Sequence, residues 1–195
     1  MTSSKIKPDI IIYGGPGSGK STQAELLVAK LKAKHMNMGG LLREAVKRKF
    51  KGWQDVKKYM DKGALVPERI TSQLVSDFVA KTPRSIRIVF DGYPRRLLQI
   101  KLLQKTQTKF NRLAVMVFID LSSSAAKQRI LSRAQKENRM DDANPKVVAQ
   151  RIKVFHERAK EVTNYYKKQN NLVVINGNQT IPVVARDIWQ AVKQL

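Results

Sequence analysis

The residues Gly14-Gly15-Pro16-Gly17-Ser18-Gly19-Lys20-Ser21 fit in full a pattern of glycine, four residues, then Gly-Lys-Ser/Thr, which builds a phosphate-binding loop. Glycines let successive backbone N–H groups turn inward around phosphate oxygens, and a helix starting at the loop turns its positive end to the same anion. Lys20 adds a point charge toward the phosphate being transferred, and the Ser21 hydroxyl can ligate Mg²⁺. A second acid is needed for the metal shell. Asp91 supplies it, because it ends the apolar run 86–90 and so points at the same sheet edge as the loop.

These residues need strands and helices to hold them, and the periodicity predicts both. Residues 9–13 are a short apolar run ending in the glycine cluster, and a helix is expected from Lys20 to about Lys34. Runs 86–90 and 113–119 read as buried parallel strands, 172–175 as a weaker fourth, and 35–38 as a short fifth. Helices are expected near 40–50, 53–62, 67–81, 96–108, 122–134, 145–169 and 181–193, with Pro67, Pro145 and Pro182 in first turns. Strands alternating with helices imply an α/β fold, a parallel sheet covered on both faces with ligands outside the carboxyl ends of its strands.

Composition sets the limits. A chain of 195 residues suits one domain. Its longest apolar run, 113–119, is far short of the about 20 residues that cross a bilayer, and the polar start lacks the apolar stretch of a secretion signal. No membrane association is expected, and a cytoplasmic location is. With no cysteine there is no disulfide framework, no thiolate nucleophile and no Cys-ligated zinc. The 38 basic residues against 15 acidic ones leave a net charge of +23, which attracts polyanions without naming one.

Six segments then line up. The loop through Thr22 and Gln23, followed by Gly39-Gly40-Leu41-Leu42-Arg43, Gly63-Ala64-Leu65-Val66-Pro67, Asp91-Gly92-Tyr93-Pro94-Arg95, Arg129-Ile130-Leu131-Ser132-Arg133 and Arg139-Met140-Asp141-Asp142, resemble the ordered motif set of the adenylate kinases. The resemblance runs from about Ile10 to the C-terminus. It implies a P-loop three-layer fold with a five-stranded parallel sheet, a helical insert for AMP over about 38–78, and a short lid over about 134–144. It also implies the reaction of MgATP with AMP to give two ADP. Nothing in the sequence demands an oligomer, so a monomer is expected. On this resemblance ATP is held by Gly15, Pro16, Gly17, Ser18, Gly19, Lys20, Ser21 and Thr22, with Arg129 stacking on its adenine near Gln179. Arg43 and Arg95 hold the AMP phosphate, Arg133 the ATP phosphates, and Arg139 and Arg151 the transferring group. Met38, Gly39, Leu65, Val66, Gly92 and Gln99 line the AMP site, and Ser21 and Asp91 the metal. Arginine suits such work because its planar fork grips two phosphate oxygens and keeps its proton.

Base choice rests on Gln99, eight positions after Asp91, where the similar UMP/CMP kinases carry asparagine. Its amide can donate to and accept from an adenine edge. Four departures stand out. Ser21 replaces the family's usual glycine, Met38 its threonine beside the AMP base, and Gly40 its aspartate, while one extra residue lies between Asp142 and Arg151. Only six positions separate Arg133 from Arg139, too few for the larger zinc-bearing lid domain of many bacterial relatives. His35, His156, Trp53, Tyr165 and Tyr166 read as packing or surface residues. A UMP/CMP kinase and a basic RNA-associated nucleotide-binding switch remain the alternative readings.

Overall fold

The computed structural model describes residues 7–122, 124–126, 128–130 and 144–195. Strands β1 (Asp9–Tyr13), β2 (Lys34–Asn37), β3 (Ile88–Asp91), β4 (Ala114–Asp120) and β5 (Leu172–Asn176) form one five-stranded sheet, ordered β2-β3-β1-β4-β5 and parallel at every pairing. Helix α1 (Lys20–Leu31) joins β1 to β2. Three helices, α2 (Met38–Lys47), α3 (Trp53–Asp61) and α4 (Glu68–Ala80), lie between β2 and β3 in the chain. Helix α5 (Leu97–Lys109) precedes β4, α6 (Pro145–Lys168) precedes β5, and α7 (Ile181–Val192) closes the chain. Residues 124–126 and 128–130 are also helical.

Alternation along β1 divides the core in two. Ile10 and Ile12 pack with Ala24 and Leu27 of α1 and with Val184, Ile188 and Val192 of α7. Ile11 and Tyr13 face the opposite layer, with Leu42 of α2, Val75 of α4, Ile100 of α5 and Val162 of α6. Both faces of the strand are therefore dry, which explains why it reads as an unbroken apolar run. Each isoleucine so buried contributes about 1.5–3 kcal/mol.

The expected architecture is present, and several element ends differ. Helix α1 stops at Leu31, three residues early, because Lys32 turns left-handed (φ 51°) and the chain closes back through Lys32 N–H to Ala29 and Ala33 N–H to Val28. That frees Lys34 to pair with Ile88 in β2. Strand β3 begins at Ile88 rather than Ile86, since the Ile86 N–H closes a turn onto the Pro83 carbonyl. Met38, expected at the end of β2, opens α2 instead: Asn37 caps the helix, its Oδ1 accepting the Gly40 N–H at 2.8 Å. Pro67 stands just before α4 rather than in its first turn, whereas Pro145 and Pro182 do lie in first turns. The expected helix 122–134 lies only partly within the described residues.

Chain order fixes where a ligand enters. From β1 the chain moves toward β2, and from β3 it crosses past β1 to β4, so a crevice opens where the carboxyl ends of β1 and β3 sit side by side. Ile12 is in register with Asp91, which sets the aspartate beside the strand that leads into the glycine loop.

Candidate active site

The loop between β1 and α1 is shaped by its glycines. Gly17 and Gly19 both have φ of 79°, a left-handed conformation that favours glycine, and a side chain at Gly17 would meet the Ala126 carbonyl at 2.8 Å. Helix α1 starts at Gly19 with no side-chain cap and no acid in its first turn. Its first N–H groups and partial positive charge therefore face the loop. Ser18 is buried with an unpartnered Oγ, and Lys20 Nζ lies 3.4 Å from the Gly15 carbonyl oxygen. The loop has the donors that a chain of phosphates requires.

Asp91 is buried at the end of β3. Burial pushes its carboxyl up, but the neighbouring His35, Lys20 and Ser21 outweigh that and hold it below the usual carboxylate range. His35 Nε2 stands 3.8 Å from Asp91 Oδ2, beyond hydrogen-bond reach. His35 thus belongs beside the site, a place its lone position in the sequence did not reveal. Ser21 and Asp91 offer hard oxygen donors side by side, the chemistry that suits Mg²⁺.

A cavity of about 200 Å³ gathers most of the expected residues from distant parts of the chain. Lys20, Ser21 and Asp91 line one side; Arg43 of α2, Arg95 after β3 and Arg151 of α6 line it too. Arg95 Nε donates to the Gly92 carbonyl at 2.9 Å, and the residue taken whole is exposed. Crowding by protein atoms and by Arg151 weakens the hold of Arg95 on its proton, and Asp91 strengthens it. Arginine keeps its charge at neutral pH regardless, so this is a concentration of positive charge fit for an anion. Arg151 reaches the cavity despite the extra residue before it. Gly63, at φ 64°, allows this approach: a side chain there would meet Val147 O at 2.9 Å and Arg151 Cγ at 3.3 Å.

Met38, Gly39, Leu65, Val66, Gly92 and Gln99, the residues expected at the AMP base, also line the cavity. Gln99 is buried in α5, and its Oε1 accepts the Arg95 N–H at 2.7 Å. One acceptor position is therefore committed to the backbone, leaving the amide N–H groups and one lone pair for a base. Met38 is also buried, close to Gly92.

On the other side of the loop, Arg129 Nη2 donates to the Gln179 carbonyl at 3.0 Å, joining two of the expected adenine-side residues. The Gln179 side chain itself turns away to Asp187 and the Asn176 carbonyl. Gly15 and Pro16 also line a second cavity of about 50 Å³, with Ile119 and Ala126. Thr22 lies in the first turn of α1. Arg133, Arg139 and residues 134–143 of the expected lid lie outside the described residues.

Sequence reasoning missed Tyr13, Phe155 and Arg158, which line the larger cavity. Tyr13 and Phe155 rings stand 5.7 Å apart, and Phe155 lies against Gly15, where a side chain would meet its ring at 3.0 Å. Gln23, expected only as part of the motif, is a strut: its Nε2 donates to the Ile181 carbonyl at 3.0 Å, tying α1 to α7.

A family model described as adenylate kinase matches residues 12–171. The chain belongs to the adenylate kinase family. Among curated relatives, the adenylate kinase of Nautilia profundicola is 34% identical over 97% of this chain and 98% of its own length. That of Cyanothece sp. is 33% identical, covering 95% of each chain. Adenylate kinase 1 of Schistosoma mansoni is 34% identical over 94% of this chain and 93% of its own. The glycine loop, Asp91 and the cavity arginines lie inside the span that the family model matches.

Proposed function

We propose that this chain catalyses the reversible transfer of the terminal phosphoryl group of MgATP to AMP, giving two ADP. The observation that carries this reading is the convergence of Lys20, Asp91, Arg43, Arg95 and Arg151 on one cavity in a member of the adenylate kinase family. Phosphoryl transfer asks little covalent chemistry of a protein; it asks that two polyanions be held in line while charge spreads over the moving group. The uncapped start of α1 and the loop N–H groups would take the ATP phosphates, with Lys20 reaching the terminal one. Arg43 and Arg95 would hold the AMP phosphate, and Arg151 would lie over the transferring group together with Arg133 and Arg139. Arg129 and Gln179 would flank the ATP adenine, and Gln99 the AMP base.

Ser21 and Asp91 would hold Mg²⁺, which when bound draws charge from the phosphate oxygens. Helices α2–α4 serve as the AMP-side insert and residues 134–144 as the lid, closing over the nucleotides to exclude water. We assign the working unit as a monomer in the cytoplasm; no helix among the described residues is long and apolar enough to cross a membrane.

Arg95→Ala tests the arrangement. An arginine that stabilises the transferring phosphoryl group is worth about 10³–10⁵ in rate, so turnover should fall on that scale while the thermal melt stays near that of the wild type. Unchanged turnover in the folded variant would remove Arg95 from the site.

A further inference from the structure

The sheet has a second end. At its amino edge, opposite the nucleotide cavity, the chain enters each strand through basic residues. Lys32 and Lys34 lead into β2, and Lys81, Arg84 and Arg87 into β3. Lys7 precedes β1, Lys109 and Arg112 precede β4, and Lys167 and Lys168 precede β5. All seven of these lysines are exposed. The same loops hold one acid, Asp9, which is buried and paired with Arg112 at 2.9 Å.

Part of this charge has a structural reason. Helices α1, α4, α5, α6 and α7 end at this edge, and cations suit helix C-termini. Each terminus carries about −0.5 charge, so the five offset about two and a half of the ten cations, and Asp9 with Asp77, exposed in the last turn of α4, offset about two more. About five or six remain. They are spread across five strands, about 4.8 Å apart, or about 19 Å from β2 to β5. The arginines do not float: Arg87 Nε donates to the Pro8 carbonyl at 2.7 Å and Arg84 Nε to the Asn111 carbonyl, tying the strand entrances into one platform.

We infer that this face binds the phosphate backbone of a nucleic acid duplex. A duplex carries one charge per about 1.7 Å of its axis, about eleven over 19 Å, roughly twice the cations left on the platform, so one duplex supplies charge enough to pair with all of them. Between the lysines stand Ser85, Asn111, Gln169, Asn170 and Asn171, all exposed, the side-chain types that add hydrogen bonds to phosphate and sugar. Single strands are held by aromatic stacking. Phe110, the aromatic of these loops, is half-buried with Lys109 Nζ 5.4 Å from its ring, so it offers no open stacking surface. A membrane surface calls for an apolar rim, and of the large apolar side chains in these loops Leu113 alone is exposed.

Anisotropy of a labelled 16-base-pair duplex against the purified chain, at several salt concentrations, tests this. Binding should weaken steeply with salt, with each lost phosphate contact reducing the log–log slope by about 0.9. The variant Lys32→Glu, Lys34→Glu, Lys167→Glu, Lys168→Glu should lose at least about tenfold in duplex affinity and keep wild-type phosphotransfer. A charge-matched control on other surfaces, Lys51→Glu, Lys58→Glu, Lys101→Glu, Lys160→Glu, should lose far less. If the first variant does not fold, Lys7→Glu with Lys109→Glu probes the same platform. Saturating MgATP should leave the duplex bound, since its site is at the other sheet edge. The inference is overturned by equal losses in variant and control, by displacement with MgATP, by no duplex binding, or by tighter binding of a 16-nucleotide single strand or of phosphatidylserine vesicles.

Discussion

Lys20 carries its charge on a flexible stem at the start of α1, beside the buried carboxylate of Asp91. Lys20→Met keeps the stem and removes the charge, so kcat should fall by about 10²–10³ or more, the scale of losing one preorganised donor; a change within about twofold, under 1 kcal/mol of barrier, would contradict the loop assignment. Asp91 gives a pH test of its surroundings. A carboxyl whose folded-state pKa is lowered stabilises the protein above its ordinary range, about pH 4, and that contribution is lost as pH falls through the lowered value. The stability gap between wild type and Asp91→Asn in urea should therefore be larger at pH 7 than at pH 3. A gap that widened on acidification would show that burial outweighs the neighbours. Gln99→Ala should cost up to about 1–3 kcal/mol of discrimination between AMP and CMP, with ATP binding nearly unchanged. It also removes the acceptor for Arg95 N–H, so KM for AMP should rise with it. At this scale the sequence was legible where a motif fixed the neighbours, as for Lys20 and Asp91. It marked His35 as packing or surface and was silent for Phe155 and Arg158, whose places depend on how β2 and α6 pack against the loop; an aromatic at a helical spacing looks the same whether it meets core or a glycine turn.

Elements held apart in the chain are joined at the sheet's amino edge by Arg112. Its guanidinium donates to Asp9 Oδ1 and to the carbonyls of Thr82, Pro83 and Ile86, while Asp9 also accepts the Ile88 N–H. One side chain thus links the starts of β1, β3 and β4. Arg112→Met leaves the Asp9 charge buried without its partner and should cost about 3–5 kcal/mol of stability. Urea unfolding measures that, and kcat of the folded fraction should stay near wild type because the nucleotide cavity is at the opposite edge; a loss below about 1 kcal/mol would show that water reaches Asp9. Strands and helices were largely legible from apolar runs and prolines. Their ends were not. Lys32 adopts a left-handed turn that the sequence signals with no glycine, and β3 loses Ile86 to a turn closed on Pro83. Those ends are closed by local hydrogen bonds, Lys32 N–H to Ala29 and Ile86 N–H to Pro83, which apolar periodicity does not register.

On the scale of the whole molecule, the fold keeps two polyanion tasks at two edges of one sheet. The topology places the glycine loop and Asp91 at the carboxyl edge and the lysine platform at the amino edge. The net charge of +23 was plain from composition, but that ten of its cations meet at the strand entrances follows only from the parallel arrangement. Nucleotide binding should close α2–α4 and the lid over the cavity, so a mimic joining two adenosines through a phosphate chain should reduce the radius of gyration in solution scattering. Identical free and bound profiles would contradict closure. The most direct measurement is a coupled assay of the purified protein with MgATP and AMP, CMP, UMP or GMP in turn, at equal subsaturating concentrations. The account predicts ADP formation fastest with AMP and none without Mg²⁺. Faster turnover with CMP or UMP would contradict the adenylate assignment, and no turnover with any acceptor would contradict phosphotransfer itself.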